Sequence, residues 1–177
     1  PMSVLVVYAT IEGQTGKIAE FAEAEIAKTG AHVALVDADE IEEIEFDGVD
    51  AVVLAAPVHE RRHPRGFEAF LVANKGQLGR RRTMLLSVSL NAAFPEGVEE
   101  AQEYVTEMTM RTEFTPDVTV LVPGAVRQAA YDYYSKQVLE HVILGDRDFD
   151  PSSGEDHEFT DWDVLRAKID GFLKEPA

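Results

Sequence analysis

The chain has 177 residues, of which 33 are acidic and 16 basic, giving a formal net charge of −17, and it contains no cysteine. This charge disfavours nucleic acids and anionic lipids as partners, and the lack of cysteine excludes disulfides, iron–sulfur clusters and cysteine-based zinc sites. The apolar and charged fractions are those of an ordinary globular protein. The acidity fits equally an adaptation to salt and a plain soluble surface.

The length predicts one domain over residues 1–177. No apolar run approaches the roughly 18 residues of a membrane span, and no signal-peptide pattern precedes the first predicted strand. We therefore expect a cytoplasmic protein, with peripheral contact at the inner face of the membrane disfavoured by charge. Nothing in the sequence indicates the oligomeric state.

The first predicted elements are a strand and a helix joined by a polar turn. Residues 3–9 form a short apolar run typical of a buried strand, and apolar residues recur at helical spacing between Ile18 and Ala27. The turn between them, residues 10–15, reads T-I-E-G-Q-T. Unpaired amides and the positive end of the helix dipole point at such a turn, which predicts a phosphate site.

Later in the chain, strands and helices alternate. Further strands are predicted at residues 31–36, 50–56, 83–88 and 118–122, with Thr160 as the N-cap of the last helix. This alternation predicts a three-layer, doubly wound α/β fold with a five-stranded parallel sheet. An apolar stripe from Tyr131 to Val142 predicts an extra helical segment after the fifth strand. We interpret residues 124–159 as an insertion or flap.

Two common phosphate loops do not fit the first turn. The P-loop needs four residues between its glycines, whereas only two separate Gly13 from Gly16. The dinucleotide fingerprint G-x-G-x-x-G is also absent. The remaining pattern, T-x-x-G-x-T, offers the hydroxyls of Thr10 and Thr15 and several backbone amides. It indicates a site that holds a dianion through neutral donors and the helix dipole.

This turn resembles the phosphate loop T-x-T-G-x-T of the flavodoxin superfamily, with Glu12 in place of the middle Thr. Further pieces narrow the resemblance to the menaquinone-dependent protoporphyrinogen IX dehydrogenases. They are A-T-I-E-G-Q-T at 9–15, S-V-S-L at 87–90, T-P-D at 115–117, P-G-A-V at 123–126 and T-D-W at 160–162. Departures from that family are Pro57, Arg61 and the acidic character of the segment after the fifth strand.

The resemblance implies a flavodoxin-like sheet of order 2-1-3-4-5 and bound FMN. It also implies oxidation of protoporphyrinogen IX to protoporphyrin IX with a quinone as acceptor, a step of haem biosynthesis. In such a sheet the cofactor crevice opens between the first and third strands. The flavin itself carries the chemistry, so no catalytic side chain is predicted.

The expected cofactor-binding residues come from the phosphate turn and from the loops after the third and fourth strands. They are Thr10, Ile11, Glu12, Gly13, Gln14, Thr15, Pro57, Val58, His59, Glu60, Arg61, Ser89, Leu90, Asn91 and Ala92. The side chain of Glu12 is expected to face solvent, away from the phosphate. Arg61, Arg62 and Arg65 are candidates for pairing with substrate propionates.

Residues 59–63 spell H-E-x-x-H, the signature of zinc proteases. That chemistry needs both histidines one turn apart on a helix. Pro57 and Pro64 bracket the segment, and a residue before proline avoids the helical region, so His63 is badly placed. Two arginines within the segment also oppose a bound cation. We predict no metal site here.

Two functions other than an enzyme stay open. A flavodoxin-like electron carrier needs no substrate pocket and docks a redox protein through an acidic surface. The net charge favours this carrier, whereas the segment at residues 124–159 argues against a minimal one. The other alternative is a regulatory domain that has lost FMN. Adding FMN to the protein and following flavin fluorescence tests this alternative.

Overall fold

Five parallel strands form the centre of the protein, in the order 2-1-3-4-5. The computed structural model describes residues 1–40, 43–126 and 156–175. The strands are β1 (Ser3–Tyr8), β2 (His32–Asp37), β3 (Ala51–Pro57), β4 (Arg82–Ser89) and β5 (Val118–Pro123). The predicted doubly wound architecture and strand order are confirmed. The apolar run of β3 is buried at every residue because strands pair on both sides and helices cover both faces.

Helices cover the sheet on its two faces. They are α1 (Gln14–Lys28), α2 (Arg65–Gly79), α3 (Val98–Thr112) and α4 (Trp162–Lys174), with two short 3-10 turns, Asn91–Ala93 and Pro95–Gly97, before α3. Alternate side chains of the strands divide the core: α1 and α4 pack on one face of the sheet, and α2 and α3 on the other. Thr29 and Gly30 end α1, with a φ of 89° at Gly30, as the sequence predicts.

A second, two-stranded sheet lies outside the predicted pattern. Strands β6 (Ala125–Val126) and β7 (His157–Glu158) pair antiparallel, with Val126 opposite His157. The stripe from Tyr131 to Val142, and most of the expected flap at 124–159, lie outside the described residues. In the parts of the chain that are described, no helix is both long and apolar enough for a membrane span.

The N-cap predicted for the last helix is wrong by one residue. Asp161 is the cap, and its carboxylate accepts a hydrogen bond from the amide of Val164 at 3.1 Å. The hydroxyl of Thr160 is used elsewhere: it donates to the carbonyl of Pro123 at 2.6 Å. Thr160 therefore connects the end of β5 to the start of α4.

Candidate functional site

The polar turn between β1 and α1 brings several backbone amides together at the start of a helix. Gly13 has a φ of 101°, and its amide donates to Thr10 Oγ1 at 2.9 Å. This closes the turn and lets α1 start at Gln14 without a side-chain cap. The first amides of a helix have no partner within the helix and lie at the positive end of its dipole. The geometry suits an anion held by neutral donors.

A cleft opens beside this turn, at the carboxyl ends of β1, β3 and β4. About 320 Å³ of space lies within it when the open solvent at its mouth is counted. Its wall consists of Thr10, Ile11, Glu12, Gln14, Thr15, Pro57, Val58, Val88, Ser89, Leu90, Gly124 and Ala125. In an open parallel sheet this is the position where ligands bind.

The cleft unites most of the predicted cofactor residues from three separate loops. Six of the predicted residues are absent from its wall in the described structure, although they flank residues that form it: Gly13, His59, Glu60, Arg61, Asn91 and Ala92. Sequence reasoning missed Val88, Gly124 and Ala125. The backbone of Gly124 packs closely against the side chain of Val88: a β-carbon on Gly124 would lie 3.3 Å from Val88 Cγ1. In the sequence, only the P-G-A-V segment at residues 123–126 pointed to Gly124.

Glu12 does not face solvent as predicted. It is half-buried and lines the cleft, and its Oε2 atom is shielded from solvent. The physical reason is that residues 10–12 continue along the cleft wall before the chain reverses at Gly13. A carboxylate therefore lies in the wall of a cleft whose backbone amides and hydroxyl groups suit an anion.

Glu158 joins the first turn of α1 to the last helix. Gln14 Nε2 donates to Glu158 Oε2 at 3.1 Å and to Thr160 Oγ1 at 3.0 Å. Lys17 Nζ lies 2.6 Å from the same Oε2, and Trp162 Nε1 donates to Oε1 at 2.7 Å. Burial alone would raise the pKa of Glu158, but these donors lower it. Lys17, in the first turn of α1, is thus already paired with a carboxylate.

The loop after β3 is a tight reversal. His59 and Arg62 exchange two backbone hydrogen bonds, of 2.9 and 3.2 Å, around Glu60 and Arg61, whose φ angles are 51° and 67°. A two-residue turn of this kind requires positive φ at both positions, and it normally uses Asn or Gly. Two larger residues here cost about 1 kcal/mol or more each. Side-chain contacts must hold them in place.

The H-E-x-x-H segment is therefore a turn and not a helix, as predicted. His63 points inward, 1% exposed, with its Nε2 2.8 Å from Ser87 Oγ. Burial lowers the pKa of His63 to about 4, with the nearby Glu68 opposing and Arg111 adding to this shift. Across the described ranges, no cluster of three or more His, Asp or Glu side chains has the geometry of a metal site.

The three candidate substrate arginines differ in their surroundings. Arg61 Nη1 lies 2.6 Å from Glu100 Oε1, and Arg62 lies 3.4 Å from the buried carboxylate of Glu68. Arg65, the first residue of α2, is exposed, and its guanidinium forms no ion pair with any described residue. Of the three, Arg65 alone has a charge that no described carboxylate neutralises.

Comparisons with known proteins agree with this architecture. The sequence model of the family described as "Flavodoxin domain" matches residues 5–151. The protein named protoporphyrinogen IX dehydrogenase [quinone] of Escherichia coli K12 is 24% identical over 165 residues, which is 93% of this chain and 91% of that one.

Two solved structures share the fold. The oxidised Flavodoxin 1 of Bacillus cereus superposes with a TM-score of 0.56 at 14% identity, covering 99% of each chain. The rubredoxin oxygen:oxidoreductase of Desulfovibrio gigas superposes with a TM-score of 0.52 at 14% identity. That match covers 98% of this chain and 37% of the larger protein. At these identities the likeness establishes the fold alone.

Proposed function

Because this chain belongs to the flavodoxin domain family, we propose that it is an FMN-dependent oxidoreductase that oxidises protoporphyrinogen IX with a quinone as acceptor. The observation that carries the proposal is the cleft at the carboxyl ends of β1, β3 and β4, with the uncapped start of α1 at its edge. The substrate assignment is supported by the Escherichia coli relative named for that reaction, which matches over nearly the full length of both chains.

The residues of the cleft fit the two ends of FMN differently. The amides of Gln14, Thr15 and Gly16 and the hydroxyls of Thr10 and Thr15 are the donors for its phosphate. Pro57, Val58, Val88, Leu90 and Ala125 give the cleft apolar walls for the ring. We expect the backbone of residues 57–62 and of residues 89–94 to lie along the two edges of the ring; of these, Pro57, Val58, Ser89 and Leu90 line the cleft.

When bound, FMN would supply the redox chemistry that carries hydrogen equivalents from the porphyrinogen to the quinone. The protein's part is to bind, orient and shield. The apolar walls exclude water from the reacting edge, and a β-carbon at Gly124 would lie 3.3 Å from Val88 Cγ1, tighter than an ordinary contact. No described side chain is needed as an acid or base.

Arg65 is the best placed of the three arginines to bind a substrate propionate. It begins α2, which follows β3, so it lies at the same end of the sheet as the cleft. Its guanidinium is able to form a bidentate pair with a carboxylate without first breaking an ion pair to a described residue. Arg61 and Arg62, by contrast, already bind Glu100 and Glu68.

The proposed acceptor also bears on the location of the protein. A quinone with a lipid tail resides in the membrane, so we propose a cytoplasmic protein that contacts the inner face of the membrane transiently. The net charge of −17 opposes lasting adhesion to anionic lipid. We expect such contact to strengthen as salt screens this repulsion.

The experiment has two stages. Protein freed of flavin is titrated with FMN while flavin fluorescence and visible absorbance are followed, with riboflavin, which lacks the phosphate, as the control. We expect FMN to bind much more tightly than riboflavin. Absence of binding to either flavin rejects any flavin-dependent function. The FMN-loaded protein is then mixed anaerobically with protoporphyrinogen IX, where bleaching followed by recovery on adding quinone supports the proposed reaction.

An electron carrier without a porphyrin substrate is the second candidate, and one observation favours it. Glu99, Glu103 and Glu107 form an exposed acidic row along α3, close to the loop after β4. Such a row suits docking to a basic redox protein. Bleaching by a flavodoxin reductase but not by protoporphyrinogen IX identifies the carrier.

A further inference from the structure

Two loops border the cleft where the flavin ring is proposed to lie. We define the β3 loop as residues 58–62 and the β4 loop as residues 90–94. Each continues from cleft-lining residues, Pro57 and Val58 for the first and Ser89 and Leu90 for the second. The amide of Val58 donates to the carbonyl of Val88 at 2.8 Å, the last bond between the strands. Beyond that bond the sheet no longer holds the loops together.

Side chains of α3 bridge the gap between the loops. Arg61, in the β3 loop, lies 2.6 Å from Glu100 Oε1, and its guanidinium carbon is 5.4 Å from the centre of the Tyr104 ring. The Tyr104 hydroxyl donates to the same Glu100 oxygen at 2.5 Å. It also accepts a hydrogen bond from Asn91 Nδ2, in the β4 loop, at 3.0 Å. One continuous chain of contacts therefore runs from loop to loop.

The inner half of this chain of contacts is buried and the outer half is exposed. Tyr104 is 3% exposed and Asn91 is 2% exposed, whereas the Arg61 side chain is 63% exposed. Burial and the adjacent Glu100 carboxylate raise the pKa of the Tyr104 hydroxyl, which therefore keeps its proton and donates it. The inner half is buried and hydrogen-bonded, and the Arg61–Glu100 pair attaches the β3 loop to it.

Both ends of the connection are held by backbone constraints. Arg61 has a φ of 67°, a conformation that a non-glycine residue adopts only when its surroundings impose it. At the other end, a β-carbon on Gly97 would lie 2.5 Å from the carbonyl oxygen of Asn91, so the start of α3 packs directly on the β4 loop. Movement of either loop must therefore disturb α3.

We propose that Arg61 is a positioning residue that, through Glu100 and Tyr104, couples the β3 loop to the β4 loop and fixes their relative position at the cleft. Its role in flavin binding rests on the proposed function, whereas the coupling itself does not. The guanidinium already pairs with Glu100 and packs over the face of the Tyr104 ring. Arg61 therefore positions the loops and does not bind a substrate carboxylate.

The coupling is tested first without flavin, by amide hydrogen exchange of both loops in Arg61→Gln, Glu100→Gln and the double variant. We expect each single change to accelerate exchange in both loops, and the double variant to exchange no faster than either single one. Arg80→Gln is the matched control. It removes the same charge from an exposed arginine at the far end of α2.

The same variants are then titrated with FMN. An exposed ion pair contributes little, so we expect binding to weaken by no more than about fivefold in Arg61→Gln. We also expect a shift in the midpoint potential of the bound flavin that Arg80→Gln does not show. Tyr104→Phe, which keeps the ring but removes the bridging hydroxyl, should loosen the β4 loop while leaving the Arg61 stacking contact.

The proposal is overturned if Arg61→Gln accelerates exchange in the β3 loop alone, or if the effects of Arg61→Gln and Glu100→Gln add. It is also overturned if the potential of Arg61→Gln equals that of the wild type. Failure of the wild type to bind FMN rejects the proposed function, but the exchange experiment still decides whether the loops are coupled.

Discussion

At the scale of single residues, we expect Thr15 to be the side chain on which phosphate binding at the turn depends most. It is 2% exposed and lines the cleft at the first turn of α1. A hydrogen bond to a charged group contributes about 1.5–3 kcal/mol. Thr15→Ala should therefore weaken the binding of FMN by about tenfold or more. Glu12→Ala removes a carboxylate from the same wall and should leave FMN binding unchanged or stronger.

Fluorescence titration with FMN and riboflavin measures both changes. Thr15→Ser keeps the hydroxyl and should retain most of the affinity, and riboflavin binding should not respond to Thr15→Ala. A larger loss of FMN binding in Glu12→Ala than in Thr15→Ala means that the phosphate is not held at this turn.

His63 makes a separate contribution to the pH dependence of stability. Its pKa of about 4 in the folded protein lies below its ordinary value of 6.5, because burial disfavours the charged ring. Between these values the unfolded chain binds a proton that the native protein does not. Stability from His63 is therefore complete above about pH 6.5 and falls, by on the order of 3 kcal/mol, as pH drops to about 4.

Urea unfolding at about pH 7 and about pH 5, in the wild type and in His63→Gln, isolates this contribution from that of the carboxylates. Glutamine keeps a polar group near Ser87 but does not titrate. The wild type should lose more stability than the variant between the two pH values. Equal losses would show that His63 is protonated in the native protein or accessible to water.

At the scale of elements, Glu68 holds α2 against α3. Arg111 of α3 donates to both of its carboxylate oxygens, at 3.0 and 2.9 Å, and Glu68 is 6% exposed. Burial alone would raise the pKa of Glu68, but Arg111 and Arg62 lower it overall. Among the described residues, Arg111→Met leaves the carboxylate with two longer contacts to Arg62, both of 3.4 Å. Since Arg111 is itself partly exposed, we expect a loss of about 1–3 kcal/mol.

Thermal and urea unfolding test this, with Lys75→Met as the control. Lys75 pairs with the exposed Glu113 at 3.2 Å across the same two helices, and its loss should cost less than about 0.5 kcal/mol. Arg111→Met should also lose less stability than the wild type on acidification, because the pKa of Glu68 is then lowered less and part of its contribution is already absent at neutral pH. Similar costs for the two variants would show that the burial of Glu68 is unimportant.

The elements that sequence predicted are those whose signal is local. Buried strands such as β3 are continuous apolar runs, and α1 ends at a glycine that adopts positive φ, so their positions follow from short segments. Strands β6 and β7 have two residues each and owe their pairing to contacts distant in sequence. No period is detectable in two residues, and nothing local predicts such a pair.

The candidate site divides in the same way. The loops at the ends of β1, β3 and β4 were predictable because a parallel sheet brings the carboxyl ends of its strands to one edge. Gly124 and Glu158 were not, since Gly124 acts by packing against the end of β4 and Glu158 by bonding to α1, and both contacts are distant in sequence. The N-cap of α4 is Asp161 and not the predicted Thr160, because the Thr160 hydroxyl makes a tertiary hydrogen bond to the carbonyl of Pro123.

At the scale of the whole molecule, the net charge of −17 acts against any bound anion. Added salt shortens the screening length, which is about 10 Å at 0.1 M, and weakens this repulsion. Raising the ionic strength from about 0.01 M to about 1 M should raise both the melting temperature and the affinity for FMN. Affinity for riboflavin should change little. A fall in FMN affinity with salt would indicate a free cation at the phosphate, such as Lys17 released from Glu158.

The pairing of β6 with β7 has a consequence for protein engineering. Val126 and His157 face each other as neighbours in an antiparallel pair, where α-carbons lie about 4.5–5.5 Å apart. A two-residue Asn-Gly turn can therefore replace the chain between them without straining either strand. If such a shortened chain still binds FMN but no longer reacts with protoporphyrinogen IX, it is a minimal flavin-binding domain, and residues 127–156 form a replaceable segment that determines the choice of substrate.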